Sequence, residues 1–533
     1  MKCFLKHALL ASYLLFAFIY QSFAQETKPF TIKISEARKL EKEANIFFDS
    51  DDEDLLGFSS DSLDNIYLLK SVPQKQSKYD ALVADIYSPD LKFLNSKVIK
   101  LPAEAESTLE LQGLYTINNK PILFYSQYNK KTDKKNLYYS VLGLGGKLEK
   151  NSKLLTFETT SKYKGDFDVF YSLDSSKFMI LVETPQKFSE NVNVKCYVFD
   201  KYLNKLNQYD VKFDHPKHKL FYKWELTNNG IPLALIHYPR KEKRKEYGNY
   251  VAELRMYSSQ SKPDIYNLDI KNKVIRELKI ASDDGKMINL LGTYGPFKKG
   301  TFLTADKAKV CGTAFIKIDL TTRKLVKSKL NIFSKPVLDF FGVDPEKIDT
   351  KGEGVSYLQT KFSSMTANKV PFVVLEQSFS ITTTTRTTST TTYYNTYKIL
   401  AKYDNDGNVK FERIVECLNK STDIIRGLNS HVYCLGENIG LVYNINEANL
   451  DKSNNEGFRY MNFNKGMFSK IDNSATIATT FDEKGAVTKT PLFSFKKDHI
   501  YLDGANIFYN QNYFIVSGTD GKNYKVAKLT FNK

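Results

Sequence analysis

The sequence predicts an all-β fold, a β-propeller of four-stranded blades, and three observations support this prediction. A polar turn followed by an apolar run recurs at intervals of about 55 residues, as is typical of repeat architectures. The chain is 14% aromatic, mostly from 37 Phe and 34 Tyr, and such side chains suit a pleated, half-buried surface. Long stretches with apolar residues at helical spacing are almost absent. Together these observations favour strands arranged as radial sheets.

Residues 1–24 are predicted to be an export signal. Two lysines precede an apolar run over Ala8–Tyr20, and Ser22-Phe23-Ala24 offers the small residues that a signal peptidase reads before Gln25. A signal anchor that stays in the membrane is the alternative, but a run of about 13 residues is shorter than the roughly 20 that a spanning helix needs. We therefore expect an exported protein, periplasmic or extracellular, without a transmembrane segment after cleavage.

The segment 25–53 is predicted to hold a closing strand, a short helix and an acidic linker, ahead of a propeller over 54–533. Pro29–Ile34 alternates polar and apolar residues as a strand does, and a charged stretch for the helix follows over Ser35–Ala44. The last repeat unit ends before a fourth strand. We therefore expect Pro29–Ile34 to supply the outer strand of the last blade, because a closed ring leaves no exposed sheet edge.

Each repeat unit is predicted to contain four strands, a to d, with the polar turn between strands a and b. In the second unit these strands are expected at about Glu110–Ile117, Pro121–Tyr128, Asn136–Leu142 and Lys153–Glu158. Strands c and d form a hairpin, as around Asp404-Asn405-Asp406-Gly407, because Asn and Gly accept positive φ at little cost.

Eight such units can be counted, which predicts eight blades. The phrase that leads into strand b starts at Asp64, Asn118, Asp174, Asn228, Asp283, Ala367, Gly436 and Asn510. A seven-bladed ring with one irregular unit, and a division into two smaller propellers, are the alternatives.

Two insertions are predicted in the later units. One runs from about Tyr294 to Cys311, and the other is the threonine tract Thr382–Thr392 in the b–c connection of unit six. The tract is low-complexity, polar and prone to β structure, so a flexible loop, an O-glycosylated segment and a long hairpin all remain open.

The later units resemble a known group of proteins. The matching pieces are VIRELKIASDDGKMINLLGTY from Val274, GTAFIKIDLTTRKL from Gly312, and the phrases VPFVVLEQSF and YYNTYKILAKYDNDGNVKFE that end at Glu412. Over residues 274–450 the chain resembles uncharacterised secreted bacterial β-propeller-like proteins. The resemblance implies the fold and export, and it implies no catalytic residue or ligand. The Trp-Asp, kelch and sialidase signatures of better-known propellers are missing from the sequence.

The four cysteines beyond the signal are interpreted as buried free thiols. They are Cys196, Cys311, Cys417 and Cys434, each within an apolar strand pattern and widely spaced. Two disulfide bonds, with three possible pairings, are the alternative for an oxidising compartment. The sequence has no CxxC, so neither a zinc knuckle nor a thioredoxin-type site is indicated.

An acidic run offers the candidate metal ligands, Asp49, Asp51, Asp52 and Asp54. Alternating aspartates could supply some of the six to eight oxygens that calcium takes. However, a calcium-binding EF-hand loop needs Gly at its sixth position and Glu at its twelfth, where this chain has Asp54 and Ser60. The run is therefore interpreted as a solvated acidic loop. No cofactor is predicted, with calcium as the alternative.

A basic cluster offers the candidate ligand-binding residues. Arg240, Lys241, Lys243 and Arg244 fall between strands b and c of the fourth unit. They could contact phosphate or an acidic sugar. Aromatic residues do not alternate regularly with the basic residues of this cluster, so nucleic-acid binding is not expected. The formal charge of +17 comes from lysines spread along the whole chain, and the cluster is interpreted as a solvated loop.

The functional hypotheses follow from export, the repeat and the absence of catalytic motifs. The sequence has no G-x-S-x-G elbow, H-E-x-x-H helix or P-loop. The leading hypothesis is an exported, non-enzymatic binding or scaffold module at the cell envelope, with a glycan or another envelope protein as partner. The alternative is a glycan-acting hydrolase with carboxylates from several blades lining the central channel. Converging carboxylates with strongly shifted pKa values would favour the enzyme. Adhesion of a basic face to anionic envelope polymers is a third hypothesis.

Overall fold

The computed structural model of the chain describes most of the region beyond the predicted signal. The described residues are 30–39, 54–72, 81–102, 107–143, 145–159, 167–183, 190–216, 220–239, 250–259, 262–268, 273–296, 309–384, 389–422, 428, 430–452, 458–463, 471–509, 512–519 and 523–532.

These residues form eight sheets of four or five strands and one two-stranded ribbon, with strands numbered along the chain. Sheets 1 to 4 are, from first to last strand, β3 (Asp54–Ser60), β4 (Ile66–Val72), β5 (Ala81–Tyr87) and β6 (Phe93–Val98); β7 (Ser107–Ile117), β8 (Lys120–Asn129), β9 (Lys134–Leu142) and β10 (Leu148–Glu158); β11 (Phe167–Tyr171), β12 (Lys177–Glu183), β13 (Asn191–Asp200) and β14 (Lys205–Pro216); and β15 (Phe221–Leu226), β16 (Pro232–Pro239), β17 (Tyr250–Met256) and β18 (Asp264–Asn267).

The second half of the chain repeats this order with additions. Sheets 5 to 8 are β19 (Lys273–Asp283), β20 (Met287–Pro296), β22 (Gly312–Asp319) and β23 (Lys324–Ile332); β25 (Leu358–Met365), β26 (Pro371–Thr384), β27 (Ser389–Tyr403), β28 (Val409–Ser421) and β31 (Met461–Asn462); β29 (Ser430–Leu435), β30 (Asn438–Asn446), β32 (Ser474–Phe481) and β33 (Val487–Ser494); and β34 (Asp503–Tyr509), β35 (Tyr513–Thr519), β36 (Asn523–Phe531), β1 (Phe30–Ile34) and β2 (Arg38–Lys39). The ribbon pairs β21 (Lys309–Val310) with β24 (Val355–Ser356).

Helices are few and short among the described residues. They are α1 (Lys335–Phe340), α2 (Pro345–Lys351), α3 (Phe495–Asp498) and two 3-10 turns at Glu447–Asn449 and Ile471–Asn473. None of the helices in this part of the chain is long and apolar enough to cross a membrane.

The polar turns of the predicted repeat lie between the first and second strands of the sheets. Asn118 and Asn119 both have positive φ, 52° and 55°, in the two-residue connection of β7 to β8. Turns of this kind match the twist of the flanking strands, and Asn tolerates them better than most residues. The recurring sequence phrase is therefore a hairpin followed by a buried strand, and the all-β propeller prediction is confirmed.

The first strand of each sheet faces the neighbouring sheets. β3 contacts both β7 and β34, β15 contacts both β11 and β19, and β19 also contacts β25. Buried apolar residues fill the spaces between sheets, as where Phe124 of sheet 2 packs against Phe178 of sheet 3. This is the radial packing of a propeller, in which the first strands surround the centre. The described sheets equal the predicted units in number, and the blade count of the ring stays a prediction.

The ring is closed by the N-terminal strand, as predicted. β1 pairs antiparallel with β36, so that Phe30 lies opposite Phe531 and Ile34 opposite Ala527. Phe30 is 3% exposed and its ring lies 4.9 Å from that of Tyr433. The last sheet thus receives its outer strand from the opposite end of the described chain.

The charged stretch after β1 differs from the expected helix in its described part. Arg38–Lys39 forms the short strand β2, because its backbone pairs with Tyr524 and Asn523 of β36. Pairing with an available sheet edge satisfies the backbone polar groups that a helix would otherwise satisfy internally. Residues 40–44 lie outside the described region.

A buried polar cluster joins the two ends of the ring. Asp85 of β5 is fully buried, and Lys70 of β4 places its ammonium 3.1 Å from the Asp85 carboxylate. The Tyr524 hydroxyl from β36 donates a hydrogen bond to the same carboxylate. Arg38 of β2 lies 3.4 Å from it. The first and last sheets are therefore held together by charged and polar contacts as well as by apolar packing.

The connections divide between the two ends of the ring. Neighbouring strands within each run of four, a to d, are antiparallel. The a–b and c–d turns therefore lie at one end of the ring, and the b–c and d–a connections lie at the other end. The additions to the repeat, including α1, α2 and β31, fall on the b–c end.

The threonine tract is largely strand in its described part. β26 extends to Thr384 and β27 begins at Ser389, with Thr382 and Thr391 hydroxyl groups 2.9 Å apart. Of the three structures left open for the tract, the long hairpin fits these residues. The other insertion was predicted from about Tyr294 to Cys311, and its residues 297–308 lie outside the described region.

The four cysteines beyond the signal are free, as interpreted. Cys196, Cys311 and Cys417 are buried, and Cys434 is partly exposed.

Candidate functional site

A pocket of about 310 Å³ opens among sheets 3, 4 and 5, beside their first strands. We call it the inner-strand pocket. Its lining includes four carboxylates, Asp168, Glu183, Glu225 and Glu277. It also includes two lysines, Lys223 and Lys279, and three aromatic rings, Phe170, Tyr222 and Trp224. The concentration of ionisable and aromatic side chains in one cavity makes it the candidate functional site.

Strand alternation explains why β15 contributes to both sides of the pocket. Trp224 packs in the apolar cluster that contains Leu181 of sheet 3. Lys223 and Glu225, one residue to either side, point to the opposite face because successive side chains of a strand alternate. There Lys223 pairs with Glu277 of sheet 5. A single strand therefore supplies an aromatic wall to one neighbour and charges to the other.

Glu277 is held by partners from two other sheets. One of its carboxylate oxygens pairs with the Lys223 ammonium, and the other accepts a hydrogen bond from the Thr360 backbone N–H. Glu277 is 6% exposed. A buried carboxylate is tolerated when it is paired and hydrogen-bonded in this way. Glu277 therefore anchors sheets 4, 5 and 6 together beneath the pocket.

Tyr222 and Glu183 form a second polar contact in the pocket. The Tyr222 hydroxyl donates to Glu183 Oε2 over 2.7 Å. Burial, and next the hydrogen bond to Glu183, raise the pKa of Tyr222. Tyr222 therefore remains a hydroxyl donor at neutral pH, and it orients the Glu183 carboxylate.

Glu225 has the electrostatic environment of a functional carboxyl. Desolvation by the surrounding protein raises its pKa to about 7, although Lys279 and the Ile280 backbone N–H oppose the shift. A carboxyl with a pKa near neutrality exchanges its proton easily at neutral pH. Such groups cluster at functional sites.

Trp224 is the single tryptophan of the chain and has an unsatisfied polar atom. Its side chain is 4% exposed, and its Nε1–H has no hydrogen-bond partner among the residues that the structure describes. Buried indole N–H groups usually have a partner. Trp224 also gives the pocket an aromatic wall.

The residues that the sequence singled out are not among the described residues that line this pocket. Asp49, Asp51 and Asp52 lie outside the described residues, as do Arg240, Lys241, Lys243 and Arg244. Asp54 is the first residue of β3, pairs with Ser71 through its backbone, and has a side chain that is not described. Within the described ranges, no group of three or more His, Cys, Asp or Glu could hold a metal ion.

Charged residues within first strands are a sequence signal for the pocket. Charged residues interrupt two first strands, in FYKWEL from Phe221 and RELK from Arg276. First strands surround the centre of a propeller, so charged residues there are candidates for a channel-facing site. Among the functional hypotheses, only the glycan-acting hydrolase, with carboxylates from several blades, anticipated a site of this kind.

Comparisons with known proteins found similar solved structures. No protein-family model and no curated protein matches the chain. The chain is similar to the β-propeller domain of the Trilobed protease from Pyrococcus furiosus, at 10% identity over 87% of this chain and 98% of that one, with a TM-score of 0.35. It is also similar to prolyl oligopeptidase B from Galerina marginata, at 10% identity over 87% of this chain and 54% of that one, with a TM-score of 0.36. The chain thus spans about half the length of that peptidase.

A polysaccharide lyase of family PL25, an ulvan lyase, is a further similar structure. It shares 11% identity over 80% of this chain and 90% of the lyase, with a TM-score of 0.32. At such identities and TM-scores, none of these similarities carries an argument about function.

Proposed function

We propose that the protein is an exported binding or scaffold module of the cell envelope, and that the inner-strand pocket binds part of a glycan. One observation carries this proposal. Three consecutive sheets bring together aromatic side chains, carboxylates and lysines around a single cavity. A cavity with an apolar wall and a few fixed polar groups is the usual form of a small-ligand site. Export rests on the N-terminal signal pattern.

The chemistry of the pocket suits sugars. Pyranose rings have apolar C–H faces, which pack against aromatic rings such as Tyr222 and Phe170. Sugar hydroxyls lose water on binding and need hydrogen-bond partners in exchange. The carboxylates and ammonium groups of the pocket supply acceptors and donors for them.

Trp224 allows a direct test of the proposal. Because it is the only tryptophan, the intrinsic tryptophan fluorescence of the chain from Gln25 onward reports on the pocket alone. We expect at least one oligosaccharide from a panel of envelope and plant glycans to change this emission saturably. Tyr222→Phe removes the contact to Glu183 and should weaken binding about tenfold.

The matched control is Tyr202→Phe, which removes a hydroxyl from an exposed residue in the turn between β13 and β14, outside the pocket lining. It should leave the binding curve unchanged. If no glycan alters the emission and calorimetry of the same mixtures detects no heat of binding, the proposed function is wrong.

One observation favours a second candidate function, a glycan-acting hydrolase. Glu225, with its pKa raised to about 7, meets the requirement for the general acid of such an enzyme. Asp168 and Glu183 would be the candidates for the second carboxylate. Binding is the simpler function, because hydrolysis also requires the two carboxylates to flank a glycosidic bond.

Release of reducing ends from a bound glycan would distinguish the enzyme from the binding module. If the chain is a hydrolase, Glu225→Gln should lower the rate by roughly 10²–10⁴-fold while the Trp224 emission still responds to the glycan. If a glycan binds and no reducing ends are released, the binding module is supported.

A further inference from the structure

A second cavity lies at the long b–c connection of sheet 7, between β30 and β32. Its volume is about 570 Å³, and the residues that line it differ from those that line the inner-strand pocket. We call it the b–c pocket. Its lining includes the charged residues Glu447, Arg459 and Lys496 and the aromatic residue Tyr460. It thus offers an aromatic ring beside charged groups at the surface of the ring of sheets.

Buried amides fix the backbone that carries Arg459 and Tyr460. Asn449 is fully buried, its Oδ1 accepts a hydrogen bond from the Arg459 backbone N–H over 2.9 Å, and its Nδ2 donates to the Arg459 carbonyl oxygen over 2.7 Å. Asn446 Nδ2 donates to the Tyr460 carbonyl oxygen over 3.3 Å. A site held in place before binding loses less entropy when the ligand arrives. The b–c pocket is therefore a built feature of the connection.

The b–c pocket has positive charges without carboxylate partners. Glu447 and Lys496 form an ion pair over 3.0 Å. The exposed Arg459 side chain forms no ion pair among the described residues. Lys420 places its ammonium 5.5 Å from the centre of the Tyr460 ring, and it too has no carboxylate partner in the described part of the chain. An anionic group of a ligand would supply that partner.

Aromatic rings lead from the b–c pocket across sheet 6. Tyr460 is 41% exposed, and its ring centre lies 6.1 Å from that of Tyr394. The Tyr394 ring in turn lies 4.9 Å from that of Phe379. Phe379, Tyr394 and Lys420 are directly opposite one another on β26, β27 and β28, so they share one face of the sheet. The pocket therefore continues as an apolar strip with a cation beside it.

We propose that the b–c pocket binds an acidic oligosaccharide, in which the carboxylate of a uronic acid unit pairs with Arg459 and the sugar ring packs against Tyr460. The guanidinium presents a planar fork of donors that matches a carboxylate. A uronic acid unit also has an apolar C–H face for the exposed aromatic ring, which an acidic peptide side chain lacks. The inference goes beyond the proposed function, because it concerns a different cavity and a ligand of defined charge.

Oligomers that differ only in charge test the inference. Galacturonic acid oligomers carry a carboxylate on each ring, and their methyl esters have the same rings without the charge. In calorimetry at low ionic strength, we expect the acid form to bind at one site per chain with at least tenfold higher affinity than the ester. Arg459→Gln and Tyr460→Ala should each reduce that affinity about tenfold.

The matched control is Lys484→Gln. It also removes one positive charge from an exposed residue of sheet 7, but from the c–d turn at the opposite end of the ring. It should leave the affinity for the acid form unchanged. Equal affinity for the acid and the ester, or equal losses in Lys484→Gln and Arg459→Gln, would overturn the inference.

Two further outcomes separate alternatives. Glutamate peptides that bind as tightly as the acidic oligomers would overturn the sugar assignment in favour of an acidic peptide. Trp224 emission reports on the inner-strand pocket, so a glycan that changes it while Arg459→Gln has no effect on calorimetry would support the proposed function and contradict this inference. Binding of the acid form that Arg459→Gln weakens, without a change in Trp224 emission, would support this inference independently of the inner-strand pocket.

Discussion

At the scale of single residues, buried charges are present where sheets meet. Asp85, which pairs with Lys70 within sheet 1, also contacts Arg38 and Tyr524 of sheet 8, and Glu277 and Lys223 join sheets 4 and 5. An ion pair in a protein interior contributes little net stability, but removing one partner leaves an uncompensated charge. These residues should therefore be intolerant of single substitution, even where the pair itself adds little.

Asp85→Asn tests this at the ring closure. The substitution keeps the shape of the side chain and removes the carboxylate charge that lies 3.1 Å from the buried Lys70 ammonium. We expect the free energy of unfolding, measured with urea, to fall by about 3–5 kcal/mol.

The matched control is Asp90→Asn. Asp90 pairs with Lys33 of β1, but both side chains are largely exposed, at 67% and 53%. Exposed pairs are screened by water, so the urea midpoint should stay close to that of the unmodified chain. Equal losses in the two variants would contradict the importance of burial.

Two histidines link stability to pH. Burial lowers the pKa of His237 to about 4, and the same cause lowers the pKa of His431 to about 4. In the unfolded chain a histidine has a pKa of about 6.5. Between these values the unfolded state binds more protons than the folded state, so stability falls as the pH is lowered from about 6.5 towards 4.

For His237, which is 1% exposed, the expected loss between pH 7.5 and pH 5 is about 2 kcal/mol. His237→Gln cannot titrate and keeps a side-chain donor for the Ile275 carbonyl oxygen. Urea denaturation at the two pH values should show a smaller pH dependence in this variant. An unchanged dependence would exclude His237 as its source.

At the scale of elements, the closing strand combines local sequence and distant packing. The alternation of Pro29–Ile34 predicts a strand, and the missing fourth strand of the last unit predicts its partner. In the structure, Phe30 fills an apolar cluster with Phe514 and Phe531 of sheet 8 and Tyr433 of sheet 7. One side chain therefore connects the N-terminal strand to two sheets.

Phe30→Ala should weaken the closure of the ring. Truncation of a buried Phe leaves a cavity and typically costs about 3–5 kcal/mol in the free energy of unfolding, measurable by urea denaturation. Thr31→Ala changes the next residue of the same strand, whose side chain is exposed. It should change stability by less than about 1 kcal/mol. Similar effects of the two substitutions would mean that β1 is not packed as described.

Two segments that depart from the regular repeat take their structure from the strand with which they pair. The charged stretch after β1 was expected to begin a helix, yet Arg38–Lys39 pairs with β36 as a strand. For the threonine tract a long hairpin was one of three open alternatives, and Thr382 and Thr391 do face each other across such a hairpin. β-Branched residues suit such strands, but only pairing decides how far a hairpin extends.

At the scale of the whole molecule, the sequence predicted the fold but did not single out the residues of the inner-strand pocket. The regular spacing of Asn118, Asp174, Asn228 and Asp283 identifies turns and buried strands, because turn chemistry and apolar runs are local properties. The acidic run and the basic cluster attracted attention because their charges are adjacent in sequence. The inner-strand pocket instead draws single charges from separate strands.

The sequence by itself determined the all-β class, the repeat and the strand that closes the ring, because each depends on local patterns of turn and apolar residues. Only the tertiary structure decided that Asp168, Glu183, Glu225 and Trp224 share one cavity. Radial packing of sheets brings together residues that are far apart along the chain. The desolvation that raises the pKa of Glu225 exists only once those sheets have packed.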